Sequence, residues 1–305
     1  MKIYFNRKPV FGPWGGGSKI LSSIVEECKR RNHNVFFEED IKIHKGFDVL
    51  FCFDPRPTQQ VKLENLVSYR FKNPSSKLIQ RVGDLGTHGK PELFQLIKQS
   101  VNYADLVIFP SNWAKETSKI LKNSLVIPNA PLENFFVEKK FRNDNVISIV
   151  SHHWSNNTYK GFEIYELLDR FCVDNPTFKF TFIGRKPDNT KLKNYLEPQD
   201  IEGLVNNLPN HDLYITASKL EAGANHVLEA MAVGLPVLYH VDGGSINEYC
   251  ENRGVQYSNF EELTNILLEK KYEPAIKNFS KLTRNSKHAA IEYVDVIERI
   301  YENKC

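Results

Sequence analysis

Residues 211–239 read HDLYITASKLEAGANHVLEAMAVGLPVLY. The apolar run ending near Ile215 reads as a short strand. A loop carrying Ser218, Glu221 and Gly223 follows. A helix is expected over about 225–233, stopped by Gly234 with Pro236 just beyond, where a second strand starts. The backbone N–H groups near residues 223–225 would form the positive end of that helix. Such an end suits a phosphate, and Gly223 lets one approach closely. Glu229 lies about one turn inside. A carboxylate there would repel a diphosphate, yet it can accept two hydrogen bonds from a ribose diol. Glu221, ahead of the helix, is placed for hydroxyls further along the same ligand. Taken alone, the two glutamates read equally as a favourable charge at a helix N-terminus and an exposed helix residue.

Working outward, the same strand–loop–helix alternation fills the chain. Strands are expected at 2–5, 35–37, 48–53, 78–82, 106–109 and 125–127, and again at 146–150, 178–183, 213–215 and 236–239. Residues 18–31 carry Ile20, Leu21, Ile24, Val25 and Cys28 on one helical stripe, and further helices start near Glu92 and Trp113. Lys160 is expected to open a helix over 160–171, with Ile164, Leu167, Leu168 and Phe171 on one face. The last helix, 287–303, repeats Ala290, Val294, Ile297 and Tyr301. The pattern implies parallel sheets with helices on both faces. Residues 130–145 are polar and lack a period, so the linker is placed there. The division is 1–135, 136–286, and a C-terminal helix 287–305 free to return to the first domain.

In such folds ligands gather beyond the carboxyl ends of parallel strands. Gly12-Pro-Trp-Gly-Gly-Gly-Ser18 follows the first strand; it lacks the spacing of a GxGxxG or Walker loop. Asp54-Pro55-Arg56 follows the third. Arg81 and Asp84-Leu-Gly-Thr-His88 follow the fourth, either to position a substrate or as a loop salt bridge and a solvated histidine. After the strand at 146–150 comes His152-His153-Trp154, then Lys160-Gly161. Adjacent histidines on a strand point to opposite sides, which favours a surface or packing role over metal binding.

The Glu-x7-Glu pair, followed by Ala-Met-Ala-x-Gly-Leu-Pro-Val, resembles the donor-site signature of retaining GT-B glycosyltransferases, the glycosyl transferase group 1 family. Residues 211–218, 243–249 and 148–162 extend the resemblance. It implies an α/β GT-B fold, two Rossmann-like doubly wound domains facing a cleft. It implies that Glu229 holds the nucleotide ribose, that Glu221 contacts the donor sugar, and that Lys160 binds the diphosphate. The amides of Ala222, Gly223, Ala224 and Asn225 would face sugar and phosphates, and Gly15, Gly16 and Gly17 would lie against the phosphates. The family usually has an arginine before the Lys-Gly. Here His152-His153-Trp154 stands there, and a histidine or Arg185 is left to supply that contact. Phe53 stands where many members have a histidine.

The implied reaction moves a sugar from a nucleoside diphosphate to an acceptor hydroxyl with retention. Glu221 and Lys160 are its catalytic candidates. No Asp-x-Asp follows a strand, so no metal and no other cofactor is expected. The acceptor would be a glycan, a lipid-linked molecule or a small molecule. The alternatives are a catalytically inactive GT-B-like sugar- or nucleotide-binding protein and a sugar-nucleotide epimerase. A nicotinamide dehydrogenase is disfavoured by the missing GxGxxG. The 305-residue chain has a net charge of +3 with scattered basic residues, which argues against nucleic acid. No apolar run approaches the ~20 residues of a membrane span, and the start is too polar for a signal peptide. A cytoplasmic protein is expected, with room for peripheral membrane contact. Cys28, Cys52, Cys172, Cys250 and Cys305 are widely spaced and odd in number, as reduced thiols would be.

Overall fold

The computed structural model describes residues 1–10, 16–140 and 145–302. They form two compact units. The first gathers Met1–Val10, Gly17–Asn129 and the segment from Ser286 onward; the second holds Ala130–Asn285.

In the first unit, strands β1 (Lys2–Phe5), β2 (Asn34–Phe37), β3 (Val49–Cys52), β4 (Lys77–Arg81), β5 (Leu106–Phe109) and β6 (Ser124–Val126) form one sheet in the order β2-β1-β3-β4-β5-β6. All pairings are parallel. A parallel sheet needs cover on both faces, and the period-two side-chain alternation supplies two apolar faces. Ile3, Phe5, Val49 and Phe51 pack with one cluster; Tyr4, Leu50 and Cys52 pack with the other. The expected stripe of Ile20, Leu21, Ile24, Val25 and Cys28, on helix Gly16–Arg30, covers the first face. Beside it on that face lies the C-terminal helix Ser286–Tyr301, through Ala290, Tyr293, Val294, Ile297 and Ile300. Tyr301, expected on the same stripe, is exposed, because the helix ends there.

The second unit repeats the design with β7 (Ile147–His153), β8 (Phe178–Gly184), β9 (Tyr195–Leu196), β10 (Leu213–Thr216), β11 (Val237–His240) and β12 (Gly254–Tyr257), in the parallel order β12-β11-β10-β7-β8-β9. Helices Phe162–Asp174 and Phe260–Leu268 cover one face, and Asn225–Ala232 and Ser245–Cys250 the other. The polar stretch expected as a linker is partly structural. A 3-10 turn at Glu133–Phe135 seats the fully buried Phe135 in this unit's core. No helix among the described residues is long and apolar enough to cross a membrane.

Candidate functional site

Each sheet reverses its strand order once: between β1 and β3 in the first unit, and between β10 and β7 in the second. Crossovers leave such a pair towards opposite faces, which opens a crevice at the strands' carboxyl ends. The expected donor-site residues of the second unit lie at its reversal.

Beyond β7 the chain makes a 3-10 turn, Thr158–Lys160, capped by the Asn157 side chain, which accepts from the Tyr159 N–H at 2.9 Å. Gly161 follows with a left-handed φ of 73°. A Cβ there would stand 2.5 Å from both the Cβ and the carbonyl oxygen of Ala217. Only glycine lets the turn lie this close to the end of β10, where Lys219 N–H also donates to the Tyr159 carbonyl at 2.9 Å. The approach brings the buried Lys160 ammonium onto the Glu221 carboxylate as an ion pair. The expectation that Lys160 opens the helix is thereby corrected. The helix runs Phe162–Asp174, and Lys160 closes the turn before it, because the backbone reversal at Gly161 separates the two.

Glu221 is fixed through its backbone. Its N–H donates to Gly243 O at 3.2 Å, and its carbonyl accepts from Ser245 N–H at 2.8 Å. Gly244, at φ 69°, comes so close that a Cβ would lie 2.7 Å from the Glu221 oxygen. The preceding Leu220 is itself left-handed at φ 54°, a conformation costing a bulky residue about 1–2 kcal/mol. Its N–H donates to Asp242 O at 2.8 Å, which helps hold it there.

Ala224 N–H, expected to face a ligand, donates to Ser245 Oγ at 3.2 Å. At the two ends of the same loop, Ser218 Oγ and Asn225 Oδ1 are buried without a hydrogen bond. Buried polar atoms are nearly always satisfied, so these two mark a place where a ligand can be accepted.

Glu229 is buried, not an exposed helix residue. Its Oε2 lies 3.0 Å from His152 Nε2. A carboxylate only accepts, so Nε2 carries the proton and the buried Nδ1 is left without a partner. The surface reading of the histidine pair is overturned, since both rings are buried. Strand alternation does separate them: His152 turns to Glu229, while His153 Nε2 meets the Tyr165 hydroxyl at 2.6 Å. That hydroxyl also accepts from Ala217 N–H at 3.0 Å, and burial pushes its pKa up to about 12.

Sequence reasoning missed His226, one residue into the short helix. Its ring centroid is 4.8 Å from that of His153, and its Nε2 is 3.1 Å from Thr216 Oγ1. Burial first, and then the charge of Lys160, push its pKa down to about 3, so it is a neutral imidazole. A lone histidine inside an apolar helix gives no signal by itself. Arg185 is exposed and lies over the Trp154 ring at 3.8 Å. Between the two candidates for the missing arginine's place, His152 is the one beside Glu229. Gly16 and Gly17 open the helix Gly16–Arg30, and Gly15 lies outside the described residues.

In the first unit, a cavity of about 130 Å³ lies beyond β1, β3 and β4, lined by Phe53, Asp54, Arg56, Arg81, Asp84 and Ile97 among others. The loop salt bridge of the alternative reading forms, but between Asp84 and Lys90 and without Arg81. Asp84 faces Lys90 at 3.6 Å and accepts from Gly86 N–H at 2.8 Å. Asp54 pairs with Arg56. Burial works against its charge, but hydrogen bonds from Arg56 and the charges of Arg56 and Arg7 hold its carboxyl below the usual range.

No protein-family model and no curated protein matches the sequence. Solved structures do match the fold along nearly the whole chain. The sucrose-phosphate synthase of Thermosynechococcus elongatus superposes with a TM-score of 0.71 at 13% identity, covering 99% of both chains. The catalytic domain of Arabidopsis thaliana starch synthase IV, bound to ADP and acarbose, gives 0.70 at 10% identity, again over 99% of each. Anabaena HepE in complex with UDP gives 0.67 at 15% identity, over 99% of this chain and 98% of its own. Two six-stranded parallel sheets with flanking helices, matched over this length, give the chain the GT-B fold of two Rossmann-like domains.

Proposed function

We propose that the chain is a retaining glycosyltransferase that moves a sugar from a nucleoside diphosphate to an acceptor hydroxyl without a metal ion. The observation that carries this reading is the ion pair of the buried Lys160 with the half-buried Glu221 at the second sheet's reversal, ahead of a helix N-terminus, with Glu229 buried one turn further on. The UDP and ADP of two structural neighbours are both nucleoside diphosphates, the ligand class this arrangement suits.

In the proposed reaction the bond between the sugar's anomeric carbon and the β-phosphate oxygen breaks, and the electron pair stays on the diphosphate. Lys160 and the helix end stabilise that charge in place of a metal, usually the largest catalytic contribution. The acceptor oxygen bonds to the same face of the anomeric carbon, and its proton passes to the departing phosphate. Glu229, oriented by His152, accepts from the ribose diol. Glu221 stabilises positive character on the sugar ring, an interaction that grows towards the transition state.

The test is a panel of uridine, guanosine and adenosine diphosphate sugars, with products followed by mass spectrometry and the first product's anomeric configuration read by proton NMR. Transfer with retention is expected. An inverted product overturns the mechanism, and nucleotide binding without turnover on any acceptor favours a binding protein.

A further inference from the structure

Arg81 is 3% exposed, yet no carboxylate among the described residues lies within ion-pair distance of its guanidinium. Buried charges are ordinarily paired, because desolvating an ion costs several kcal/mol. Here the neighbours are neutral. Nε donates to the Tyr293 hydroxyl at 3.1 Å and Nη2 to Asn129 Oδ1 at 3.0 Å. The Phe53 ring lies 4.6 Å below the guanidinium carbon. Those contacts fix the plane of the fork and leave Nη1 on the Gly83 side, where a Cβ would come within 2.1 Å of it. Both Arg81 and Gly83 line the first unit's cavity.

The other charges around this cavity are already matched. Asp54 is held between Arg56 and Arg7, and Asp84 faces Lys90. Of the four charged residues on the wall, Arg56, Arg81, Asp54 and Asp84, Arg81 is therefore the one whose charge no opposite charge among the described residues matches, with Phe53, Pro55, Leu93 and Ile97 supplying apolar surface. At about 130 Å³ the cavity is well below the ~300 Å³ of the smallest ordinary ligand pockets. It suits one charged group of a larger molecule whose remainder lies outside.

We propose that this cavity is an anion subsite in which Arg81 receives a phosphate monoester or carboxylate carried by the acceptor. That the anion belongs to an acceptor rests on the glycosyl-transfer reading; the anion site itself does not. A planar fork with two donors on one nitrogen matches such oxygens better than a lysine would.

Calorimetry on the full chain with glucose 6-phosphate, glucuronate, glucose and inorganic phosphate tests it. The two anionic sugars should bind and glucose should not. Arg81→Met should weaken both by roughly ten- to hundredfold. Gly83→Ala, whose Cβ would stand 2.1 Å from Nη1 and so shift the rigid guanidinium as a whole, should weaken them too, and it serves if Arg81→Met does not fold. Glucose binding as tightly as its phosphate, or anion affinities unchanged in both variants, overturns the subsite. Inorganic phosphate binding as tightly as glucose 6-phosphate overturns the acceptor assignment and gives the cavity to a free anion. Titration with UDP, GDP and ADP is read separately. Failure of all three removes the donor reading and leaves the anion result standing.

Discussion

Gly161→Ala tests whether the close approach of the turn at Thr158–Lys160 to β10 is what builds the proposed donor site. Two costs arise. The left-handed φ of 73° costs an alanine about 1–2 kcal/mol. The new methyl would sit 2.5 Å from Ala217 Cβ and O, so the turn must withdraw by about 0.9 Å to reach an ordinary 3.4 Å contact. Overpacking of this kind adds about 1–3 kcal/mol. The variant should therefore lose about 2–5 kcal/mol in urea unfolding, with the midpoint lowered and the slope unchanged. The same withdrawal pulls Lys160 off Glu221. Nucleotide affinity, read by calorimetry below the unfolding range, should fall by about tenfold or more. The two effects separate in a Lys160→Met background. There Gly161→Ala should keep its stability cost and add almost nothing to the loss of affinity, because the group it displaces is gone. A stable Gly161→Ala protein would refute the packing argument. An undiminished effect on affinity in the Lys160→Met background would show that the turn does not act through Lys160.

Further outcomes follow from the same contacts. Glu229→Gln keeps an acceptor for His152 but loses the charge that binds a diol strongly, so nucleotide affinity should fall by about 1.5–3 kcal/mol with little change in stability, as calorimetry and unfolding would show. Transfer should survive exhaustive chelation, because Lys160 and the helix end are proposed to neutralise the diphosphate; a loss restored by manganese or magnesium would show that a metal does so. His226 binds its proton with a pKa of about 3 when folded and about 6.5 when unfolded, so its contribution to stability is complete above pH 6.5 and is lost as pH falls towards 3, by up to ~1.4 kcal/mol per pH unit. His240, also lowered by burial, adds to this. His226→Gln should flatten the stability profile between pH 6.5 and 4.5, above the range in which Glu27, at about 2, begins to matter; an unchanged slope there would refute the buried neutral ring.

What could be read in the sequence was whatever repeats or punctuates. The stripe from Ile20 to Cys28 is periodic, and the all-buried cores of β3 and β5 are unbroken apolar runs, so their elements were legible. Phe135 was hidden because a single anchor in a polar stretch has no period, and β9, at two residues, is too short to show one. Gly161 and Gly244 were visible as glycines, but what each one approaches was not. Ala217 and Glu221 are brought to them by strand pairing across the sheet. The pairings Lys160–Glu221 and His152–Glu229 span 61 and 77 residues, and no local rule reaches that far. The sequence named side chains that the second unit does bring together, and it could not say which would hold which.

The pairings also bear on mechanism. A buried carboxylate needs a cation or several donors to remain charged. Glu221 has Lys160, and Glu229 Oε2 has His152 Nε2 at 3.0 Å. In the proposed reaction an incoming diphosphate competes for Lys160, and Glu221 then loses part of its compensation while its backbone holds it in place. The charge it lacks in the ground state is supplied as the bond to phosphate breaks and the sugar ring becomes positive. An interaction that is poor with substrate and good at the transition state raises turnover and not merely affinity. In the proposed reaction Glu229 faces no such exchange, because the ribose it would bind stays uncharged throughout. On that proposal the two carboxylates are set apart by their partners: Glu221 would be exposed to the charge movement of the reaction, and Glu229 would be shielded from it.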